Sequence, residues 1–243
     1  MKKRGGYQVT SQMRPALAPE TILRAVWVGA GESPEWIVAH TNAMLGQLRS
    51  LFDIDQWRTL DHQRWEGAED DLAQIVRSTV YMNDAHEPPR PDPESGYQLW
   101  LTGEGPRVRI RVEISAGAAS SGGPIPLHHL TVHIRELSRG AVDGNTIDEM
   151  CAAVATIWAP SMVKVANSSI NSLARRGNWK IGIGYRTWIS SEVGAVNRVA
   201  EGLTATELAG GTLISAPDDW PAERVVVAMS ETLAANELDE VPH

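Results

Sequence analysis

The sequence predicts an α+β fold, a mainly antiparallel or mixed sheet packed by several helices, and three observations carry that prediction. Two stretches, RVRIRVEIS and HLTVHIRE, alternate apolar and polar residues with period two, as strands with one wet face do. From Pro34 to Phe52, Ile37, Met44, Leu45, Leu48, Leu51 and Phe52 recur at helical spacing. Strand and helix signals then follow one another without a steady β-α-β rhythm, which disfavours a doubly wound sheet.

Taken in order, Tyr7 to Met13 and Thr21 to Val28 read as strands, joined through Pro15 and Pro19. The glycine-rich VGAGESPEW, residues 28 to 36, raises the question of a phosphate cradle. A dinucleotide loop needs G-x-G-x-x-G; Gly29 and Gly31 fit, but Pro34 stands where the third glycine belongs. A Walker loop fails sooner, for want of any Gly-Lys pair. The same residues start a helix well: Ser33 can accept from a free amide, Pro34 loses no bond at the first position, and Glu35 suits the dipole.

A shorter helix is expected from Ala68 to Thr79, where Leu72, Ile75 and Val76 lie together. Residues 84 to 96, DAHEPPRPDPESG, are proline-rich and acidic and read as a surface loop; residues 116 to 126, AGAASSGGPIP, read as a second. YQLWLTG and the two alternating stretches supply strands, with Arg107, Arg109, Arg111 and Glu113 on the wet side of one and His129, Thr131, His133 and Arg135 on that of the other. Thr146 and Glu149 form a capping-box pattern before Met150, Cys151, Val154, Ile157 and Trp158, and Pro160 closes that helix. VKVAN from Val163 and KIGIGYRTWIS from Lys180 are expected strands, and Pro221 to Leu238 the last helix. Residues 1–243 are expected to form a single domain.

Composition narrows the function. Twenty-two basic against thirty acidic side chains give a formal charge of −8, which argues against broad nucleic-acid or anionic-membrane binding and favours a basic partner. Cys151 is the only cysteine, so neither an internal disulfide nor a cysteine zinc cluster can form, as suits the cytoplasm. The opening MKKRGGYQVTSQMRPALA lacks the apolar middle of a signal peptide, and no run approaches the roughly twenty apolar residues of a membrane span.

His128, His129 and His133 could be metal ligands, but on a strand His129 and His133 stand about 13 Å apart and His128 points the other way, so solvated strand histidines are expected. G-x-S-x-G and His-Glu-x-x-His are absent, and Cys151 falls on the buried face of its helix. An acidic nuclease site around Asp92 and Glu113 would want a lysine where Ser115 stands. In RRGNWKIGIG, Arg176 lies too far before Gly182 for an acyltransferase loop. No catalytic residue, cofactor or metal is therefore assigned. Of the nine tryptophans, Trp27, Trp57, Trp158, Trp179 and Trp188 are expected to seal the core, and Trp36, Trp65, Trp100 and Trp220 to be partly exposed.

AVWVGAGESPEWIVAHTNAMLGQLRSLFDIDQW resembles the opening of the immunity protein 52 family, with Trp27, Glu32, Ser33, Leu45, Leu48 and Trp57 in matching positions. Weaker similarity continues through IWAPSMVKVAN, NWKIGIGYRTWIS and GGTLISAP; Ala30 and Gly31 stand where members often carry an arginine. The resemblance implies a cytoplasmic antitoxin of a polymorphic-toxin or type VI secretion system, binding a toxin domain that often has a restriction-endonuclease-like fold. Such a protein is not an enzyme. Two acidic groups are the candidate partner surface: Glu66, Glu69, Asp70 and Asp71, and the loop bearing Asp84, Glu87, Asp92 and Glu94. Two alternatives stay open: an α/β enzyme with a site around His129, Arg109 and Glu113, and a nucleic-acid scaffold using the arginine strand.

Overall fold

A computed structural model describes residues 20–243, so the strand expected over Tyr7 to Met13 lies outside the described residues. In chain order the elements are β1 (Glu20–Val26), α1 (Pro34–Phe52), β2 (Trp57–Thr59), α2 (Glu69–Ser78), β3 (Met82–Asn83), β4 (Arg90–Pro91), β5 (Tyr97–Glu104), β6 (Val108–Ala116) and β7 (His129–Glu136). There follow α3 (Gly144–Trp158), β8 (Met162–Ala166), α4 (Ser168–Leu173), β9 (Arg186–Ser190), β10 (Thr204–Leu208), β11 (Gly211–Ser215) and α5 (Ala222–Ala235). Nine strands form one sheet in the order β10-β11-β9-β8-β1-β7-β6-β5-β2, every pairing antiparallel, while β3 and β4 pair separately. The α+β class holds. Among the described residues no helix is long and apolar enough to cross a membrane.

Period-two patterning fixes which side each residue faces. Leu23, Ala25, Leu130, Val132, Ile134, Ile110 and Val112 are buried against one face, where α1 packs on both α2 and α3. Among the described residues the helices cover the opposite face only in part. α4 sits over β8 on that side, where Lys164 donates to Asn171, and α5 packs on α4. Among the described residues the outer faces of β5, β6 and β7 carry no helix; Trp100, Arg111, Glu113, His129 and His133 lie on them.

Helix ends follow side-chain chemistry. Ser33 caps α1, its hydroxyl accepting from the Trp36 amide at 3.2 Å, and Pro34 opens the first turn as the sequence predicts. The capping box at Thr146 does not form. Asp143, the stronger cap, takes both the amide and the hydroxyl of Thr146 at 2.8 and 2.7 Å, so α3 begins at Gly144. Residues 180–185 are not a strand, although a strand was expected from Lys180. Gly182 lies against the stem of Lys164 and Gly184 against the Val165 carbonyl, so this segment crosses over β8 before joining the sheet at Arg186.

The five tryptophans expected to seal the core are buried. Trp65 and Trp220, expected to be partly exposed, are buried as well. Each ring has found its own cover: the Trp65 indole N–H donates to Asn42 at 2.8 Å, and the Arg224 guanidinium lies 3.7 Å over the Trp220 ring. Trp36 and Trp100 remain half-buried.

Candidate functional site

The two acidic groups occupy different surfaces. Glu69, Asp70 and Asp71 form the first turn of α2, whose cap residue Ala68 offers no side-chain acceptor, so their charge offsets the helix dipole there. Glu66, just outside, pairs with Arg64 at 3.2 Å. The second group lies beyond the other end of α2, a helix of 10 residues and so about 15 Å long. The groups thus form no single patch.

The second group is the more built of the two. The chain leaves α2, pairs Met82 with Pro91 and Asn83 with Arg90, and turns between them through an exposed tip bearing Asp84 and Glu87. Its root is braced: Asp92 donates its amide to Tyr81 at 2.8 Å, Tyr81 donates to Gly96 at 2.9 Å, and Ala119 donates to Glu94 at 2.8 Å. The Asp92 carboxylate also accepts from the Ser95 hydroxyl at 2.8 Å. Prolines 88, 89, 91 and 93 each fix one backbone angle. Tyr81 and Met82 lie exposed at the root, which gives an acidic protrusion with an apolar foot.

Glu32, a residue of the Trp-to-Glu-Ser stretch, is a structural junction. One carboxylate oxygen accepts from the Trp27 indole at 3.0 Å; the other accepts from the Gly117 amide at 2.9 Å and stands 2.9 Å from Nδ1 of His128. Burial raises the Glu32 carboxyl, but hydrogen bonds from His128, Glu32's own amide and Trp27 outweigh it and hold the pKa at about 2. His128 is wholly buried, with Nε2 3.0 Å from the Ser120 carbonyl, and is not the solvated strand histidine expected. It lies just before β7, where the strand alternation does not apply.

His129, Arg109 and Glu113 share the helix-free face without forming a cluster. Glu113 contacts Arg111 at 2.9 Å and His133 at 3.3 Å, while Arg109 pairs with Glu104 at 2.6 Å. His129 sits across from Ser115, six residues along β6 from Arg109 and so about 20 Å away. Burial, then the charge of Arg24, pushes the His129 ring down to about 4. His133 is also lowered by burial, against the pull of Glu113. Among the described residues no group of three or more His, Cys, Asp or Glu could hold a metal ion.

The sequence reading missed Arg24 and Lys164. They are direct cross-strand neighbours on β1 and β8, both half-buried on the face away from α3. The signal was a single cation inside each apolar run, ILRAV and MVKVA.

No family model matches the chain, the immunity protein 52 family included, and no curated protein matches it. Among solved structures it is similar to the Pseudomonas aeruginosa T6SS protein PA0821, with a TM-score of 0.50 and 9% identity, covering 89% of this chain and 72% of that one. At that identity the likeness is one of fold.

Proposed function

We propose that this protein is an immunity-type binding protein: it forms a stoichiometric complex with a cationic toxin domain, of nuclease type, in the cytoplasm, and breaks no bond itself. The braced acidic protrusion of residues 81–96 carries this reading. Asp84, Glu87 and Glu94 are presented on proline-stiffened backbone beside the exposed Tyr81 and Met82. An element already held in shape loses little entropy on binding, and an apolar anchor ringed by one sign of charge favours both affinity and choice of partner. The overall charge of −8 adds long-range attraction for a basic partner. The resemblance of the Trp27 to Trp57 segment to immunity proteins and the shared fold with a T6SS protein support the same reading.

The test is growth. The polypeptide encoded by the neighbouring reading frame is expressed in a host with and without this chain. Arrest relieved by co-expression is the expected result; normal growth in the absence of this chain overturns the reading.

A further inference from the structure

We propose that the face of the sheet away from α3 carries a site for a small oxyanion, a carboxylate or phosphate group held between the guanidinium of Arg24 and the ammonium of Lys164. The inference stands apart from the toxin-binding reading and uses a different surface.

Two like charges are direct neighbours across the β1–β8 ladder, both half-buried. Burial of the guanidinium and the ammonium, with their mutual repulsion, is a cost that the described residues offset only in part. Among the described residues Arg24 makes no hydrogen bond and no ion pair; its one charge partner is the field of Glu113. Glu113 is itself engaged by Arg111 and His133. Among the described residues Lys164 donates to a neutral group alone, the carbonyl oxygen of Asn171 at 2.8 Å. Residues 1–19 contain neither aspartate nor glutamate, so that part of the chain has no side-chain carboxylate to offer.

The planar fork of an arginine beside the point charge of a lysine is suited to an oxygen anion. Space favours a small one. The 180–185 segment crosses over Lys164, with the Thr187 hydroxyl donating to the Gly182 carbonyl at 3.2 Å, and a Cβ at Gly182 would come within 2.5 Å of the lysine stem. The lysine stem passes closely because position 182 is glycine, and its ammonium is held by Asn171 of α4.

The test is thermal melting of the full chain in inorganic phosphate and in malonate, against chloride of matched ionic strength, with Arg24→Met and Lys164→Met alongside. A rise of several degrees in either oxyanion, lost in both variants, is expected; phosphate alone or malonate alone names the anion. No rise in either, or a rise kept by both variants, overturns the site. Should Arg24→Met fail to fold, the Arg24 Nε–Hε resonance of the unaltered protein is followed by NMR during the same titration. It shifts if the site exists, and its constancy overturns the proposal.

Discussion

The carboxylate of Glu32 meets the imidazole of the wholly buried His128 at 2.9 Å, beneath the loop that joins β6 to β7. With Trp27 and Gly117 bound to the same carboxylate, this junction ties the end of β1, the start of α1 and that loop together. The Glu32 pKa falls from an ordinary 4.5 to about 2 on folding, and its side chain is only 11% exposed. The shift corresponds to about 3 kcal/mol as an upper figure. Because the folded value is the lower one, this contribution is full above pH 4.5 and is lost as pH falls toward 2. Urea unfolding at pH 6 should show Glu32→Gln less stable than the unaltered protein by about 2 kcal/mol, and at pH 3 the gap should narrow clearly.

Arg186 is the pivot of the other half of the sheet. Its side chain is 6% exposed, bonded to Asp148 at 2.5 Å and Asp218 at 2.9 Å, and it donates to the Ala216 carbonyl at 2.9 Å. Burial lowers the Arg186 pKa, but the two carboxylates more than reverse this. Arg186→Met should cost about 2 kcal/mol, below the range for fully buried pairs because both aspartates keep contact with water. Arg186→Lys should recover little, since one ammonium cannot reproduce a fork that spans α3 and the loop after β11. Chemical denaturation of the two variants measures both.

Cys151 is fully buried in α3, and burial, then the charge of Asp148, pushes its thiol up to about 12. A thiol in that state is nearly inert at neutral pH. The native protein should leave a thiol-reactive dye essentially unreacted over an hour at pH 7.5, whereas in denaturant one equivalent should react at once, matching the single cysteine.

Where a pattern is local, the sequence is readable. α1 spans Pro34–Phe52 as its apolar spacing and Ser-Pro start imply, and β6 and β7 follow their alternation to within a residue. The hairpin of β10 and β11 was not legible: the exposed strand TATEL has no buried stripe, and only the turn through Ala209 and Gly210, both at positive φ, marks it. α4 has six residues, too few for periodicity to show. The acidic protrusion could be named from composition, yet its separation from the acids at the start of α2 depends on where that helix points. Arg24 and Lys164 lie 140 positions apart, and only the antiparallel register of β1 with β8 brings them together. The role of Glu32 was equally hidden, because its partners come from the end of β1 and from the loop after β6.

Reversing charge at the protrusion separates binding from folding. Asp84, Glu87 and Glu94 are exposed, and none of their carboxylates is engaged in an ion pair among the described residues, so Asp84→Lys, Glu87→Lys and Glu94→Lys should each change stability by less than about 0.5 kcal/mol. Calorimetric unfolding of the triple variant should give a melting temperature within a few degrees of the original.

The most direct measurement is titration of this protein with the purified toxin domain encoded beside it, by calorimetry at two salt concentrations. The account predicts a one-to-one complex that weakens as salt rises and loses at least about tenfold in affinity in the triple lysine variant, roughly 1.4 kcal/mol. A complex of unchanged affinity in that variant, or no complex at all, would contradict it.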